Sequence, residues 1–267
     1  RQISWRDYED RAARLAQGLI DTGLGHNSKV GMYLYNSPEY AETNFAAMKI
    51  SGVPINVNYR YLDDELYYLL ENADIEALVF HSSLGDRVAR VCDRLPMLKA
   101  MICVDDGPAE DSSMGPTTGI PYDAFLAQAS GIAKTQPHGD EIYMLYTGGT
   151  TGMPKGVMYP LDGFTEFFMR GFPPMIGLPP FESAAQFGPA ARQLVDANST
   201  VVAMSGPPLM HGTGSWLGLM FPHMLGGTSV LLENRGFKPE EVWSTVERDR
   251  VSQIIIVGAA FAKPLLR

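Results

Sequence analysis

The sequence predicts an α/β protein built from layered parallel-sheet subdomains with helices on both faces. Short runs of β-branched and apolar residues alternate with longer segments of helical periodicity along the chain. This alternation is typical of βαβ units, whose right-handed crossovers place helices on both faces of a sheet. A hydrophobic share of 45% in 267 residues suffices for a sizeable core. No short internal repeat is visible, so we expect two similar α/β layers.

The first subdomain is predicted over residues 1–139. Strands are expected at 30–35, 53–58, 77–81 and 101–104, and helices at 38–50, 63–72 and 85–95. Pro38 suits the first turn of its helix, with Ser37 as the cap and Glu39 near the positive end of the dipole. The polar stretch 105–121 is predicted to be a surface loop, and 131–140 a linker.

The second subdomain, residues 140–267, is predicted to repeat the alternation. Helices are expected at 161–170, 212–225 and 238–248, and strands at 200–205, 228–232 and 253–257. Residues 171–189 contain five prolines and little periodicity. We therefore interpret this segment as an insertion that is mobile or lies over a cleft.

Composition excludes several partners. A net charge of -9 without a basic cluster argues against nucleic-acid binding, which needs a Lys/Arg face. No apolar run approaches the roughly 18 residues of a membrane span, and no signal peptide is visible, so a cytoplasmic protein is the default expectation. Cys92 and Cys103 are too far apart for a metal knuckle and are interpreted as buried or idle thiols. The oligomeric state stays open, a homodimer included.

A phosphate-binding loop is predicted between two strands at residues 142–146 and 157–159. The segment 146–159 reads YTGGTTGMPKGVMY. Gly148, Gly149 and Gly152 give the backbone freedom to approach an anion. Hydroxyl donors come from Thr147, Thr150 and Thr151, and a positive charge comes from Lys155. It is not a Walker loop, because Pro154 precedes the lysine and Gly156 follows it. The alternative is an ordinary Gly/Thr turn with a solvated lysine, which this density of glycine and threonine disfavours.

At these residues the sequence resembles the adenylate-forming superfamily: acyl-CoA synthetases, luciferases and the adenylation domains of peptide synthetases. TGGTTGMPKG is nearly that family's signature loop. Residues 3–40 are similar to its opening helix, strand and Asn-Ser-Pro-Glu turn, and PPLMHGTGSW at 207–216 is similar to its next core motif. The resemblance covers almost the whole chain and implies the large N-terminal domain of an acyl-CoA synthetase-like fold.

The resemblance also implies that this domain is incomplete. After Arg267 the family would supply a Tyr-Gly-x-Thr-Glu segment, a ribose-binding Asp, a hinge and a small domain with a catalytic Lys, and none of these occurs here. The chain begins at Arg1 without Met, so an N-terminal piece is expected to be missing as well. We expect roughly half of an enzyme, which alone adenylates poorly or not at all.

The chemistry implied by the resemblance is attack of a carboxylate on the α-phosphorus of ATP, followed by thioester formation with CoA as co-substrate. Such a displacement depends on positioning and on neutralising phosphate charge. The resemblance assigns the backbone amides of 148–152 and the hydroxyls of Thr150 and Thr151 to the β- and γ-phosphates. Lys155 is the expected charge-neutralising catalytic residue, and Thr147 is the expected Mg²⁺ ligand.

His211 is the second candidate catalytic residue. Its place in PPLMHGTG matches a family position beside the acyl carboxylate and the pantetheine tunnel. Because a carboxylate nucleophile needs no deprotonation, we expect His211 to orient the acid or gate the tunnel. A purely structural histidine is the alternative. His26, His81, His138 and His223 have no motif around them and are interpreted as structural or exposed.

An apolar acid is the expected substrate. The resemblance implies that an adenylation domain of a peptide synthetase would place an Asp just after the motif at 207–216, to pair with the ammonium group of an amino acid. Residues 207–232 contain no acidic side chain, so such an ammonium group would be buried without a partner. Trp216 is a candidate lid over an acyl channel, although plain core packing also explains an apolar stripe. Residues 254–266 are similar to the family's acyl-pocket strand and turn, where Gly258 and Ala259 would leave room for a chain or ring system; small residues there would equally allow close helix packing.

The sequence therefore predicts an AMP-forming acyl-CoA synthetase for fatty or steroid-type acids. A fatty acyl-AMP ligase and a luciferase-like enzyme are alternatives within the superfamily. A non-catalytic ATP-binding module is the alternative from another class.

Overall fold

A computed structural model describes residues 1–107, 119–135, 137–148 and 152–266. The chain divides into two compact units, Arg1–Leu161 and Asp162–Arg267. The division thus follows Leu161 rather than residue 139, because the strands around the predicted phosphate loop pair into the sheet of the first unit. In the described ranges no helix has the length and apolarity needed to cross a membrane.

The first unit contains a seven-stranded sheet in the order β5-β4-β3-β1-β2-β6-β7. Its strands are β1 (Lys29–Tyr33), β2 (Val53–Asn56), β3 (Ile75–His81), β4 (Ala100–Val104), β5 (Ile120–Pro121), β6 (Ile142–Thr147) and β7 (Lys155–Pro160). Its helices are α1 (Trp5–Asp21), α2 (Pro38–Lys49), α3 (Asp63–Asn72), α4 (Gly85–Cys92) and α5 (Tyr122–Gln128). All neighbouring strands are parallel except β6 and β7.

The core of this unit lies around the central strands β1 and β3, whose side chains are buried almost throughout. Helix α3 coincides with its predicted bounds, and Ser37 caps α2 as predicted, because its Oγ accepts a hydrogen bond from the Tyr40 N–H. Cys103 is buried, and burial raises the pKa of its thiol to about 11. Of the predicted loop 105–121, residues 108–118 lie outside the described residues.

The second unit contains a three-stranded parallel sheet in the order β10-β8-β9. Its strands are β8 (Val202–Ser205), β9 (Thr228–Val230) and β10 (Gln253–Ile255). Its helices are α6 (Leu161–Gly171), α7 (Phe187–Asp196), α8 (Gly212–Ser215), α9 (Phe221–Met224), α10 (Pro239–Asp249) and α11 (Gly258–Leu265). A π-helical segment, Trp216–Met220, joins α8 to α9.

Two predictions for the second unit need correction. The single helix expected at 212–225 is interrupted by the π-helical segment, since Pro222 lacks an N–H and its ring crowds the carbonyl of Gly218. The strand expected at 253–257 ends at Ile255, and the following residues form α11 instead of a turn. The Pro-rich segment 171–189 holds two 3₁₀ turns and the start of α7, and its interpretation as an insertion stays a prediction.

Candidate functional site

The predicted phosphate loop connects the two strands of an antiparallel hairpin. Strands β6 and β7 pair from Ile142 opposite Pro160 to Thr147 opposite Lys155. Thr147 and Lys155 therefore form the last cross-strand pair before the loop, with a hydroxyl and an ammonium group at its mouth. This arrangement confirms the two strands predicted on either side of the loop.

Tyr146 anchors the hairpin next to the loop. Its side chain is buried, and its hydroxyl donates a 2.8 Å hydrogen bond to Asn72 Oδ1. Burial raises the pKa of Tyr146 to about 12, so the phenol keeps its proton and remains a donor. The ring packs against Gly156 on β7, where a β-carbon would lie 2.9 Å from Tyr146 Cε2. The glycine after Lys155 is thus required by packing as well as by any role in binding.

The mouth of the loop is open to solvent. Thr147, Gly148, Gly152 and Lys155 are all exposed, whereas Pro154 is buried. Gly152 has φ +106°, a conformation that other residues rarely adopt. Among the described residues, β-carbons at 148 and 152 would meet no atom within 4 Å. Gly149, Thr150 and Thr151 lie outside the described residues.

The charges at the mouth favour an anion. In the part of the chain that the structure describes, Lys155 has no ion-pair partner, so its ammonium group faces solvent. An exposed lysine beside an open glycine-containing turn provides charge and backbone donors for a phosphate. These are features that a polyphosphate site at the carboxyl end of β6 would need.

A Mg²⁺ ion fits this site only in the company of phosphate. The described residues contain no group of three or more His, Cys, Asp or Glu side chains that could hold a metal ion. The Thr147 hydroxyl could supply one oxygen ligand. Since Mg²⁺ commonly keeps several waters and combines one or two protein ligands with substrate phosphates, a shared protein–phosphate site suits this chain better than an all-protein cage.

The second motif, PPLMHGTGSW, forms a tight turn into α8. The His211 N–H donates to the Pro208 carbonyl (3.0 Å), and the His211 carbonyl accepts from the Ser215 N–H (3.0 Å). A β-carbon on Gly214 would overlap the carbonyl oxygen of Pro208. The glycine at position 214 is therefore dictated by backbone contact. The turn leaves the His211 residue exposed at the N-terminus of the helix.

Trp216 begins the π-helical segment and lies against α6. Its ring makes edge-to-face contacts with Phe164 (5.4 Å between ring centres) and Phe167 (6.1 Å). We call the connected rings the aromatic cluster: Phe164, Phe167, Phe168, Phe172, Trp216 and Phe221. Phe167 is 47% exposed, so one edge of the cluster is accessible.

Sequence reasoning missed the phenylalanines of this cluster. Phe164, Phe167 and Phe168 are spaced by three and four residues on α6, which is the signal of one apolar helix face. That spacing would have identified the face, but not its partner Trp216. The partly buried tryptophan is thus one wall of an aromatic surface.

Gly258 and Ala259 open α11 and are both exposed. Gly258 has φ +63°, and a β-carbon there would meet no atom within 4 Å. Close helix packing therefore does not explain this glycine in the described part of the chain. Its positive φ does, because the chain turns sharply from β10 into the helix.

The predicted site residues thus fall into three local groups. Thr147, Gly148, Gly152 and Lys155 meet at the mouth of the hairpin in the first unit. His211 and Trp216 share one helix start in the second unit, and Gly258 and Ala259 begin another.

Three of the histidines without a motif lie in polar or packed surroundings. His81 is buried, and its Nδ1 accepts a hydrogen bond from the Tyr35 N–H (3.0 Å). His26 Nε2 lies 2.7 Å from Asp140 Oδ1, and the His26 ring stacks on His138. These contacts fit structural roles. In α9, burial lowers the pKa of His223 to about 4, so that its imidazole is neutral at pH 7.

A model of the AMP-binding enzyme family matches residues 1–266 of the chain. The chain is 36% identical to a 3-oxocholest-4-en-26-oate–CoA ligase of Rhodococcus rhodochrous, with 100% of the chain and 46% of that protein aligned. It is 35% identical to a medium/long-chain-fatty-acid–CoA/3-oxocholest-4-en-26-oate–CoA ligase of Mycolicibacterium smegmatis, with 99% of the chain and 46% of that protein aligned. The chain spans about half the length of these curated relatives.

Solved structures share the fold. An acyl-CoA synthetase of Brucella canis superposes with a TM-score of 0.74 at 19% identity, covering 100% of this chain and 44% of that one. A benzoate CoA ligase of Burkholderia xenovorans superposes with a TM-score of 0.73 at 17% identity, covering 94% of this chain and 44% of that one.

Proposed function

Because this chain belongs to the AMP-binding enzyme family, we propose that it is the nucleotide-binding part of an AMP-forming carboxylate–CoA ligase. The reaction joins a carboxylic acid to the α-phosphorus of ATP, releases pyrophosphate, and then transfers the acyl group to the thiol of CoA. The observation that supports this proposal best is the β6–β7 hairpin, with Thr147 opposite Lys155 at an open mouth of exposed glycines.

The hairpin binds and neutralises the polyphosphate of ATP in this proposal. Lys155 places its charge against the β- and γ-phosphates, which lowers the repulsion between ATP and the incoming carboxylate. The Thr147 hydroxyl contributes one oxygen to a Mg²⁺ ion that the phosphates bring with them, and that ion supplies further charge neutralisation. The amides of 148–152 and the hydroxyls of Thr150 and Thr151 complete the loop, although 149–151 lie outside the described residues.

His211 and Trp216 are assigned to the acid. His211 lies exposed at the start of α8 and orients the carboxylate or gates the approach of CoA, without acting as a base. Trp216 offers an aromatic surface to an apolar acyl group, together with the accessible edge of the aromatic cluster. Gly258 and Ala259 leave room for the acyl group at the start of α11.

Fatty and steroid-type acids are the substrates that we propose. The names of the two curated relatives specify cholestenoate and medium- to long-chain fatty acids, at 36% and 35% identity. The absence of any acidic residue between 207 and 232 agrees with an apolar acid, since an amino acid would need a counter-charge. A cytoplasmic location and a homodimer stay predictions of the sequence.

Carboxylate-dependent release of pyrophosphate by the full-length protein tests the proposal. The panel contains short, long and steroid-like acids together with amino acids, each with and without CoA. We expect release with apolar acids only, and a thioester when CoA is present. An acyl adenylate that never reaches CoA would favour a fatty acyl-AMP ligase or a luciferase-like enzyme. If no acid of the panel causes release of pyrophosphate, a non-catalytic ATP-binding module is favoured.

A further inference from the structure

Asn56 is a polar residue at the end of an otherwise apolar strand. It closes β2, whose four residues are all buried. Its amide makes two hydrogen bonds to the backbone of Tyr146: Nδ2 donates to the Tyr146 carbonyl (2.9 Å), and Oδ1 accepts from the Tyr146 N–H (2.7 Å). The side chain thus reproduces the donor and acceptor of a peptide group.

These two bonds extend the short pairing between β2 and β6. The backbone register of the two strands contains the single pair Ile55 and Met144. After this pair the backbone of β2 keeps its contact with β1, since the Val57 N–H donates to the Met32 carbonyl (3.2 Å). The Asn56 side chain therefore contacts β6 two residues beyond Met144, where the described register gives no further backbone pair between β2 and β6.

The position of Tyr146 in the hairpin makes this contact necessary. Along a strand, the backbone polar groups of alternate residues face opposite neighbours. The N–H and carbonyl of Tyr146 both face β2, where Asn56 receives them, while its ring packs on Gly156 of β7. Without the amide, two buried backbone groups would lose their partner directly before Thr147.

We propose that Asn56 is a positioning residue for ATP: its amide fixes the backbone of Tyr146 and thereby holds Thr147 and Lys155 in register at the mouth of the hairpin. This inference rests on the proposed function, because it assigns to Asn56 an effect on nucleotide binding. Asn56 itself does not touch the nucleotide. It acts through one covalent neighbour of Thr147 and through the cross-strand pair of Thr147 and Lys155.

Two variants of the full-length protein separate the amide from its surroundings. Asn56→Ala removes both hydrogen bonds. Asn56→Asp keeps the shape and the acceptor of the side chain, but it replaces the donor with a carboxylate oxygen that faces the Tyr146 carbonyl. This variant tests the same contact if the alanine variant does not fold. The matched control is Asn72→Ala, which removes the hydrogen bond to the Tyr146 hydroxyl and leaves the backbone contact intact.

The measurement is the Kd for MgATP, together with KM for ATP and for the acid. We expect both Asn56 variants to raise Kd and KM for MgATP about tenfold, the equivalent of one lost buried hydrogen-bond pair. The KM for the acid should stay within about twofold of wild type, and Asn72→Ala should bind MgATP within about threefold.

Three results would overturn the inference. MgATP binding by the Asn56 variants as tight as that of wild type would remove the positioning role while leaving the proposed function intact. If the Asn56 variants lose affinity for ATP and for the acid equally, or if Asn72→Ala loses as much affinity for MgATP as they do, Asn56 contributes only to the stability of the fold. A wild-type protein that binds no MgATP would overturn the proposed function, and this inference with it.

Discussion

The ring of Tyr146 occupies the space beside Gly156 on the opposite strand, so that a β-carbon at position 156 would lie 2.9 Å from Tyr146 Cε2 and 3.0 Å from Met144 Sδ. Real β-carbons do not approach other atoms this closely. The hairpin that carries the predicted phosphate loop is therefore held together by an aromatic ring packed on a glycine. Tyr146 is thus held at two places: its ring packs on Gly156, and its backbone N–H and carbonyl bind the amide of Asn56.

Gly156→Ala should loosen the hairpin. The added methyl group would force the Tyr146 ring or Met144 to move, and such overpacking costs about 1–3 kcal/mol. Denaturant unfolding of the full-length protein measures the loss. The matched control is Gly163→Ala on α6, where a β-carbon would meet no atom within 4 Å. A helical alanine there should be neutral or stabilise by up to about 1 kcal/mol. Equal stability of Gly156→Ala and wild type would contradict the packing described.

Gly214→Ala should disrupt the turn before α8. A β-carbon at this position would overlap the carbonyl oxygen of Pro208 and lie 2.8 Å from that of Pro207, neither of which is a flexible side-chain end. We expect a loss of at least about 2 kcal/mol in the free energy of unfolding, with weaker binding of the acid. Gly188→Ala on α7, which meets no atom within 4 Å, is the control. A variant that unfolds like wild type would show that the turn can relax.

Trp216→Ala should affect the acid and spare the nucleotide. The indole packs edge-to-face on Phe164 and offers the rest of its surface to an apolar acyl group in the proposed function. We expect the KM for a long or steroid-like acid to rise about tenfold, corresponding to about 1.4 kcal/mol of lost apolar contact, with the KM for ATP unchanged. Trp216→Phe should recover part of the loss. If the KM values of the variant match those of wild type for acids of every length, Trp216 serves only core packing.

His223 should make stability depend on pH. Burial lowers its pKa to about 4 from an ordinary value of 6.5, so the unfolded chain binds a proton at a pH where the folded chain does not. The contribution of His223 is fully present above about pH 6.5 and is lost as the pH falls from 6.5 towards 4. His223→Gln cannot titrate, so wild type should lose more stability than this variant over that range. Parallel stability–pH curves from urea unfolding at pH 7 to 4.5 would contradict this assignment.

Local patterns predicted those elements whose signals lie within their own residues. Helix α3 matches the predicted range 63–72, and Ser37 and Pro38 start α2 as a cap and a first-turn proline should. The loop between β6 and β7 also follows from local chemistry, since Pro154 lacks an N–H and keeps Met153 away from helical angles. Each of these inferences needs only the neighbouring residues.

Contacts between distant segments were not predictable in the same way. Helix α5 was missed because it is short and is stabilised by distant partners, such as the hydrogen bond from the Tyr122 hydroxyl to the buried Glu42 (2.7 Å). The boundary between units was placed too early because β6 pairs with β2, from the first half of the chain. Asn56 carries no motif, and only its partner Tyr146 reveals its role.

The roles of the loop residues stay predictions, and Lys155→Ala tests the central one. Lys155 is exposed at the mouth of the hairpin, so removing its side chain should leave the fold intact. We measure the Kd for MgATP and for AMP with the full-length protein and the variant. If the hairpin holds the β- and γ-phosphates, the variant should bind MgATP about tenfold more weakly and AMP with unchanged affinity. Equal affinities of wild type and Lys155→Ala for MgATP would place this lysine in solvent and contradict the account of the hairpin as the polyphosphate site.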